Sequence, residues 1–563
     1  MKIADRIQKD LASIPALKGL NKEEIAIEHP KDPKFGDYST NIALKLGQRD
    51  PMEIAQKIKE EIESQNWDYI EKIETVNPGF INFYLSKEAL GDLLKEVLSM
   101  SKKIAKTGQT SIVEYTDANP FKEMHIGHLY SNIVGESIAR MLEFRGTEVK
   151  RLSYQGDIGL HVAKAIYGMK KKLEIRNSKS ETGLKELEAE PLEARMKFLG
   201  ESYALGASEF EESPEAKSEI IELNKKIYAN DPIVSDLYSK GRAWSLQKFE
   251  TIYARLGTKF DKLYFESEVA EEGAQIVKKH IKDGIFEESE GAIIFDGEKY
   301  GLHKRVFINS LGLPTYEAKE LALAVQKGRD FSFDLSIIVT AKEVAEYFKV
   351  LFKVLSLISP DLAEKTRHVG HGFVKLKEGK MSSRSGNILT AEWLLNETVE
   401  RVKKEFSDMD LETSEKVGVG AVKYSLLKSG IGRDVIFDIS ESISLEGNSG
   451  PYLQYTYVRC KSVLKKTKEK PGEFSVRKLS REEERLLKKL VKFNDQKFFT
   501  DDFSQHGLCT YLYELASDFN LFYQKCPILN SENESFRLSL TKATSDILSK
   551  GLYLLGIETP EKM

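Results

Sequence analysis

The chain has few cysteines and no long apolar segment. Among its 563 residues there are only 3 cysteines and 9 histidines. Cys460, Cys509 and Cys526 are odd in number and far apart, so they provide neither a disulfide framework nor a Cys-x-x-Cys zinc site. No apolar run approaches the roughly 20 residues that cross a bilayer, and the first segment lacks the uninterrupted apolar core of a secretory signal. These absences predict a protein of the reducing cytoplasm with no membrane anchor.

Charge is abundant but nearly balanced. The chain has 84 Lys+Arg and 88 Asp+Glu, a formal net charge of −4. That balance argues against a protein that coats nucleic acid without specificity, because such binding needs an excess of positive charge. Local lysine clusters, such as CKSVLKKTKEKPGEF, leave two interpretations open: a solvated helix face or a surface for phosphates.

Hydrophobic patterns divide the chain into three predicted domains. Residues 1–108 form an α/β domain, with strands at EIAIEHP and KIETVNPGFINFYLS and helices at GDYSTNIALKLGQ and PMEIAQKIKEEIES. Residues 109–405 begin with a strand, SIVEYTDANP, and a helix, HLYSNIVGESIARMLEFRG. Such alternation predicts an α/β domain with a doubly wound parallel sheet, interrupted by a charged helical insertion at about 165–300. Residues 406–563 are predicted to be all helical.

Two histidines stand three residues apart in NPFKEMHIGHLYSN, where a predicted strand meets a predicted helix. A metalloprotease helix instead places histidines at i and i+4 around a glutamate. Here Gly127 lies between His125 and His128 without other ligands nearby, so a metal site is disfavoured. The unpaired N–H groups and the dipole of a helix start favour anions, and Gly127 permits close approach. Imidazoles can also donate hydrogen bonds to phosphate oxygens.

A second stretch, EGKMSSRSGN at 378–387, is basic, rich in hydroxyl groups and flanked by glycines. Taken alone, it is typical of a solvent loop or a phosphorylation site. It follows the second half of the same predicted sheet, and the carboxyl ends of parallel strands meet at one edge. We therefore expect this loop beside the histidine pair, over a phosphate group.

These two stretches resemble signatures of the class I aminoacyl-tRNA synthetases. Further segments resemble the arginyl-tRNA synthetases in particular: EHPKDPKFGDYSTNIALKL, NPGFINFYL, YQGDIGLH, GNSGPYLQYTYVRC, DFNLFYQKCPIL and YLLGIETPEKM. The resemblance implies a Rossmann-type catalytic domain, an N-terminal domain that contacts the tRNA elbow, and a helical anticodon-binding domain. It implies ATP-dependent formation of arginyl-adenylate, then transfer of arginine to the terminal adenosine of tRNA(Arg). The implied substrates are L-arginine, tRNA(Arg) and ATP with Mg²⁺, bound by a monomer without a structural metal, with tRNA required before adenylate forms.

The resemblance also assigns residues to each role. The implied catalytic set is Lys122, His125, His128 and Lys380. The implied ATP-binding set is Pro120, His125, Gly127, His128, Met381, Ser382 and Ser383, with the strand HVGHGFV offering backbone to adenine. The implied arginine-binding set is Glu114, Asn119, Tyr316 and Glu320. The implied tRNA-binding set is Tyr452, Gln454, Tyr455 and Arg459.

The chemistry of these sets agrees with the implied substrates. A guanidinium is planar, permanently charged and rich in donors, so its pocket needs carboxylate acceptors. Buried carboxylates are costly without a cation, so Glu114 and Glu320 fit best around a bound guanidinium. The alternative for Glu320 is a solvated helix glutamate. For the tyrosines of PYLQYTYVRC, core packing and stacking on unpaired bases remain equally open.

The chain departs from the family pattern at several positions. Ser383 and Arg384 stand where the family loop ends in Lys-Ser, and we expect Lys122 to supply the missing charge. Glu320 stands where the family usually has Asp, and Val344 where it has a glutamine near the pocket.

Three alternatives differ from arginine ligation. A class I synthetase for glutamate or cysteine is disfavoured by the acidic pocket and by the lack of a Cys/His zinc set. A cytidylyltransferase-like enzyme shares the His-x-Gly-His phosphate site, but the long helical C-terminus and the second loop disfavour it. A catalytically inactive tRNA-binding paralogue is disfavoured by intact His125, His128 and Lys380.

Overall fold

The structure is a computed structural model of the single chain. It describes residues 3–30, 32–47, 50–99, 106–175, 180–377, 389–468, 474, 476, 478–493 and 503–563. Within these residues, no helix combines the length and apolarity needed to cross a membrane. All three cysteines are buried free thiols.

The N-terminal part is a three-stranded antiparallel sheet covered by helices. Its elements are α1 (Ile3–Ser13), β1 (Tyr38–Thr40), α2 (Ile42–Lys45), α3 (Pro51–Gln65), β2 (Ile70–Val76), β3 (Phe80–Leu85) and α4 (Lys87–Ser99). The strand order is β1-β3-β2. Ile7 and Leu11 of α1 are buried in the same core as Phe83, so the amphipathic first segment packs as a helix against the sheet.

The predicted strand EIAIEHP is not formed. This segment makes one isolated bridge, between Glu28 and Ser39. The strand lies instead at Tyr38–Thr40, inside a segment predicted to be helical. Pairing explains the difference, because Tyr38 is in register with Phe83 and the Asp37 amide donates to the Phe83 carbonyl at 2.8 Å. Tertiary pairing therefore overrides local preference here.

The central part is the predicted parallel sheet with helices on both faces. Its elements are β4 (Thr110–Glu114), α5 (Ile126–Phe144), β5 (Glu148–Gln155), α6 (Leu160–Ile175), α7 (Ser180–Ala189), α8 (Leu192–Glu212), α9 (Pro214–Tyr228), α10 (Pro232–Leu256), β6 (Lys262–Phe265), α11 (Glu266–Lys279), β7 (Glu287–Ser289), β8 (Ala292–Phe295), β9 (Arg305–Ile308), α12 (Tyr316–Asp330), β10 (Leu335–Ala341), α13 (Ala345–Ile358), α14 (Pro360–Lys365) and β11 (Thr366–His371). The five parallel strands have the order β11-β10-β4-β5-β6. The order reverses beside β4, and ligands of such sheets bind where the carboxyl ends meet at this reversal.

The predicted insertion at about 165–300 is only partly an insertion. Helices α6 to α10 do stand between β5 and β6, but β6 itself is the fifth strand of the central sheet. Its four residues, KLYF, are too few for periodicity to separate a strand from a helix end. After α11, the strands β7, β8 and β9 form a small antiparallel sheet before α12.

The C-terminal part is mainly a helical bundle. Its elements, with the strand that precedes it, are β12 (Val374–Leu376), α15 (Ala391–Glu405), α16 (Leu411–Leu427), β13 (Val435–Phe437), α17 (Ile439–Ser442), α18 (Gly450–Lys465), α19 (Arg481–Val491), α20 (Gln505–Lys525) and α21 (Glu534–Leu554). The predicted helical C-terminal domain is confirmed, and one short strand, β13, precedes its bundle and pairs in parallel with β12. A three-residue strand exists only through that pairing, so local patterns do not indicate it.

Candidate active site

The loop between β4 and α5 has a strained backbone. Thr116, Asp117 and Phe121 have positive φ values of 81°, 49° and 68°. Non-glycine residues in this conformation cost of order 1–3 kcal/mol each and persist only where the surroundings hold them. Here the Thr116 amide donates to Ser131 Oγ at 3.0 Å, and the Phe121 amide donates to Ser245 Oγ at 2.9 Å. The loop is therefore fixed against α5 and α10 without a ligand.

His125 caps the start of α5 with its own ring. Its Nδ1 accepts the N–H groups of Gly127 at 3.1 Å and His128 at 3.4 Å, and His128 Nδ1 accepts the His125 N–H at 3.3 Å. The expectation that these amides are unpaired is therefore wrong. Because each Nδ1 accepts, each neutral ring carries its proton on Nε2 and offers that N–H to a ligand.

Burial and positive charge keep the histidine pair neutral. The two rings are stacked, with centroids 3.6 Å apart. Burial first, then Lys122, lowers the pKa of His125. Burial, His125, Lys122 and His371 lower the pKa of His128 well below its usual range. At neutral pH both rings are hydrogen-bond donors through Nε2, and Lys122 lies close enough to influence both.

Glycine at position 127 preserves this arrangement. A Cβ there would lie 2.9 Å from Cε1 of His125. A side chain at this position would therefore push the His125 ring out of its capping geometry. Pro120, the other residue assigned to the nucleotide, is buried in the loop before α5.

The residues that directly follow the second signature, 378–387, pair with the start of α5. His125 forms a β-bridge with Thr390, and the Ile126 amide donates to the Leu389 carbonyl at 3.0 Å. The signature residues Lys380, Met381, Ser382 and Ser383 lie outside the described residues. The bridge brings the residues that follow the signature to the start of α5.

Glu114, at the carboxyl end of β4, already has a cationic partner. Lys327 Nζ of α12 lies 2.9 Å from Glu114 Oε2, and the side chains are 2% and 1% exposed. The expectation that Glu114 needs a bound guanidinium for its charge is therefore wrong. Its carboxylate is held at the carboxyl end of β4 by an internal lysine.

A second lysine of α12 pairs with a carboxylate that sequence patterns did not indicate. Lys319 donates to Glu266, the first residue of α11, and both side chains are 4% exposed. The Lys319 ammonium also lies 4.6 Å from the ring centroid of Tyr316. Glu266 follows β6, whose position in the sheet was not predicted, so its place at the carboxyl edge was not expected.

Glu320, on α12, is a buried carboxylate without a partner in the described residues. It is 8% exposed, and within the described residues it forms neither a hydrogen bond nor an ion pair. Burial first, then Glu114, raises its pKa well above the usual range, although Lys327 opposes this. Asp117 is affected in the same way, because burial and Glu114 raise its pKa. A cation placed beside Glu320 would relieve this repulsion.

Asn119 lies against Gly156 of the segment YQGD. A Cβ at Gly156 would lie 2.4 Å from Asn119 Oδ1 and 3.4 Å from Glu266 Oε1. The preceding Tyr154 hydroxyl is buried without a hydrogen-bond partner in the described residues. Burial, followed by Glu266 and Glu320, raises its pKa well above the usual range. Tyr154 is therefore under the electrostatic influence of Glu266 and Glu320, and Gly156 lies beside both Asn119 and Glu266.

Tyr316 and Val344 differ in their exposure to solvent. Tyr316 begins α12 and is 59% exposed, so its ring faces solvent. Val344 is partly buried and packs on the apolar cluster beneath α12 and α13. Tyr347, one turn later, lies near Glu320, since Glu320 is the first charged group that raises its pKa after burial.

The four residues assigned to tRNA do not share one environment. The Tyr455 hydroxyl accepts from Arg459 at 2.8 Å, and Arg459 also donates to Asn520 Oδ1 at 2.6 Å. Asn520 in turn donates to the Tyr452 hydroxyl at 3.0 Å. These aromatic and cationic groups form a half-exposed cluster on α18 and α20.

Gln454 does not fit the tRNA-binding set. Its side chain is fully buried, and its Nε2 donates to the carbonyls of Lys416 at 3.1 Å and Glu558 at 2.7 Å. The spacing of PYLQYTYVRC puts Gln454 on the inner face of α18, so it joins α16 to the C-terminal segment instead of facing RNA.

Three family profiles match successive parts of the chain. "Arginyl tRNA synthetase N terminal domain" matches residues 1–85, "tRNA synthetases class I (R), catalytic domain" matches residues 92–439, and "DALR anticodon binding domain" matches residues 453–563. The chain belongs to the arginyl-tRNA synthetase family. Aminoacylation of tRNA(Arg) with arginine is the characteristic function of this family.

Members of the family resemble the chain over its whole length. An arginine–tRNA ligase of Clostridium botulinum (strain Hall) is 32% identical over 558 residues, covering 96% of this chain and 96% of that protein. The arginine–tRNA ligase of Clostridium beijerinckii is 31% identical and covers 100% and 99%. The Thermus thermophilus arginyl-tRNA synthetase has a TM-score of 0.80 at 24% identity, covering 100% of both chains. The Plasmodium falciparum enzyme has a TM-score of 0.79 at 24% identity, covering 99% and 98%. These structures share the fold.

Proposed function

We propose that this chain ligates L-arginine to tRNA(Arg) in two steps at the carboxyl edge of the central sheet. The arginine carboxylate attacks the α-phosphate of MgATP, and pyrophosphate leaves as arginyl-adenylate forms. A ribose hydroxyl of the terminal adenosine of tRNA then attacks the adenylate carbonyl, and AMP leaves. Magnesium enters with ATP as part of the substrate. Catalysis rests on positioning and on charge stabilisation.

The single observation that carries this proposal is the unpartnered carboxylate of Glu320. The neighbouring Glu114 and Glu266 each have a lysine, whereas Glu320 has none. A permanently charged guanidinium with several donors fits a buried carboxylate, since the pair is both ionic and hydrogen-bonded. Asn119 and the Tyr316 ring complete the proposed arginine site, and the buried Tyr154 hydroxyl is a further polar group within it.

The histidine pair is proposed to bind the phosphates of ATP. Both rings offer Nε2–H donors, because each Nδ1 accepts a backbone amide. Neutral donors fixed before the reaction can stabilise charge that develops on phosphate oxygens. Lys122 adds positive charge beside them, and the signature at 380–383 is proposed to close over the triphosphate.

The other parts of the chain are proposed to hold tRNA. We assign residues 1–108 to the tRNA elbow and residues 406–563 to the anticodon. Residues 109–405 would form the catalytic domain between them. The cluster of Tyr452, Tyr455 and Arg459 supports the second assignment, because aromatic rings beside an arginine can stack on unpaired bases. We further propose that the enzyme acts in the cytoplasm as a monomer.

One assay tests the reaction and the choice of amino acid together. ATP–pyrophosphate exchange is measured with each amino acid, with and without tRNA(Arg). We expect exchange with arginine only, and only when tRNA is present. Exchange with another amino acid would contradict the arginine assignment, and no exchange with any amino acid would indicate an inactive paralogue.

Two variants of Glu320 test the arginine site itself. Glu320→Gln removes the charge but keeps the shape, so we expect arginine binding to weaken by about 100-fold or more, the loss of a hydrogen-bonded ion pair. Glu320→Asp restores the charge and matches the residue usual in the family, so binding should largely recover. Equal KM values for arginine in Glu320→Gln and the unchanged enzyme would contradict the site.

A further inference from the structure

The last turn of the bundle is held by side chains from three helices. Residues 553–558 comprise the last two residues of α21 and the segment that follows it, and four of their carbonyl groups accept hydrogen bonds from the helices α5, α16 and α18. The donor and acceptor pairs are Arg140 to Tyr553, Ser137 to Leu554, Lys423 to Gly556 and Gln454 to Glu558. The C-terminal segment is therefore bonded directly to the helix that begins with the histidine pair.

Arg140 donates hydrogen bonds to three separate parts of this contact. Its Nη1 donates to the Tyr553 carbonyl at 3.0 Å, and its Nη2 donates to the Gly257 carbonyl at 3.1 Å. Its Nε donates to Glu136 Oε1 at 2.7 Å. A planar guanidinium fixes the directions of these donors, so the three acceptors cannot move independently. One side chain thus ties α5, the end of α10 and the C-terminal segment together.

Glu136 extends the contact to the strand beside the arginine pocket. Its Oε2 accepts from the Tyr115 hydroxyl at 2.6 Å and from Arg151 at 3.0 Å. Tyr115 directly follows Glu114, and its ring packs so closely on α5 that a Cβ at Gly135 would lie 2.3 Å away. Despite burial, Arg140 and Arg151 lower the pKa of Glu136, so it stays ionised.

We propose that Arg140 is a positioning residue that makes the placement of α5 depend on the C-terminal segment of the tRNA-binding bundle. This inference rests on the proposed function. The helix is continuous from His125 to Arg140, and 15 residues of helix span about 22 Å. A displacement of residues 553–558 would therefore reach the histidine pair as a shift of the whole helix.

The surroundings of the contact leave room for such a shift. A cleft of about 370 Å³, open to solvent, adjoins the C-terminal segment and is lined by Arg255, Glu415, Lys423, Gly556 and other residues. The segment therefore borders open volume on one side and the fork of Arg140 on the other. RNA bound to the bundle can bias its position only if it binds the two positions with different affinity.

A kinetic double-mutant cycle tests this role. The kcat for arginylation is measured with tRNA(Arg) and with transcripts in which each anticodon base is replaced in turn. For each replaced base, the ratio of kcat with tRNA(Arg) to kcat with the altered transcript measures how strongly the anticodon affects the rate at the chemical site. For Arg140→Met we expect this ratio to fall about tenfold towards one, within the usual range of coupling between sites. The KM for tRNA should change little.

Two further variants separate coupling from stability. Arg151→Met removes a cation from the same Glu136 but touches neither the C-terminal segment nor Gly257, so the ratio should be retained. Arg140→Lys keeps the charge but loses the fork, so its ratio should fall even if Arg140→Met does not fold. A ratio that is unchanged in both Arg140 variants, equally reduced in Arg151→Met, or already one in the unchanged enzyme would overturn the inference. Failure of the unchanged enzyme to arginylate tRNA would instead refute the proposed function.

Discussion

Glu114 and Lys327 form an ion pair that is closed to solvent at the base of the proposed arginine pocket. The distance between Nζ and Oε2 is 2.9 Å, and neither side chain is more than 2% exposed. The pair explains how three carboxylates can gather at the edge of one sheet. Lys327 compensates Glu114 and Lys319 compensates Glu266, which leaves the charge of Glu320 for the substrate.

Removal of Lys327 should destabilise the central domain strongly. In Lys327→Met, Glu114 is left as a buried carboxylate without a cation, which costs about 3–5 kcal/mol. Urea unfolding of the unchanged and variant proteins measures the difference. Arg329→Met is a matched control on the same helix, because Arg329 pairs with Glu272 in an exposed position. Exposed pairs contribute about 0–1 kcal/mol, so similar losses in both variants would contradict the prediction.

Arginine binding should strengthen as pH rises. In the empty site the pKa of Glu320 is raised by burial and by Glu114, so Glu320 is protonated below that pKa. The guanidinium stays charged throughout, and its binding favours the ionised carboxylate. Binding therefore releases a proton below the pKa of the empty site. Affinity should fall by up to about tenfold for each pH unit below that value and be constant above it.

The KM for arginine in pyrophosphate exchange, measured with tRNA across the stable pH range, checks this dependence. Glu320→Gln should bind weakly but without the slope, because no proton is released at this position. A slope that persists in Glu320→Gln would assign it to another group, such as Asp117, whose pKa is raised by the same causes.

Gly156 should be essential for the placement of Asn119. In Gly156→Ala the new Cβ would lie 2.4 Å from Asn119 Oδ1, so the amide must move. We expect the KM for arginine to rise about tenfold or more, the loss of a hydrogen bond to a charged group. The KM for ATP should change less. Gly200→Ala is the control, since a Cβ at this α8 position meets nothing within 4 Å. Equal arginine KM values in both variants would refute this placement.

Sequence patterns predict best those strands and helices whose pattern lies within one continuous segment of the chain. The strand β4 and the helix α5 follow from an apolar run and a stripe of helical spacing, and both were found as expected. The partner of Glu114 was not predictable in this way, because Lys327 lies 213 residues away. Glu266 was missed because β6 has only four residues, and its edge position depends on pairing with β5. Long-range pairing, more than local preference, limits what sequence patterns reveal.

Lys122 should accelerate adenylate formation without strengthening ATP binding to the same degree. It lies near both histidines, since it lowers the pKa of each, and its ammonium is 5.0 Å from the Tyr203 ring centroid. Ser383 stands where the resembling family has the second lysine of this signature, so we expect another cation to face the leaving pyrophosphate. In Lys122→Ala we expect the single-turnover rate of adenylate formation to fall about 10²–10³-fold, as for the loss of one fixed charge-stabilising group. The Kd for ATP should change by less than about tenfold.

Lys164→Ala is the control, because Lys164 lies over Phe210 on the neighbouring helices α6 and α8. A rate in Lys122→Ala equal to that of this control would show that the charge comes from elsewhere.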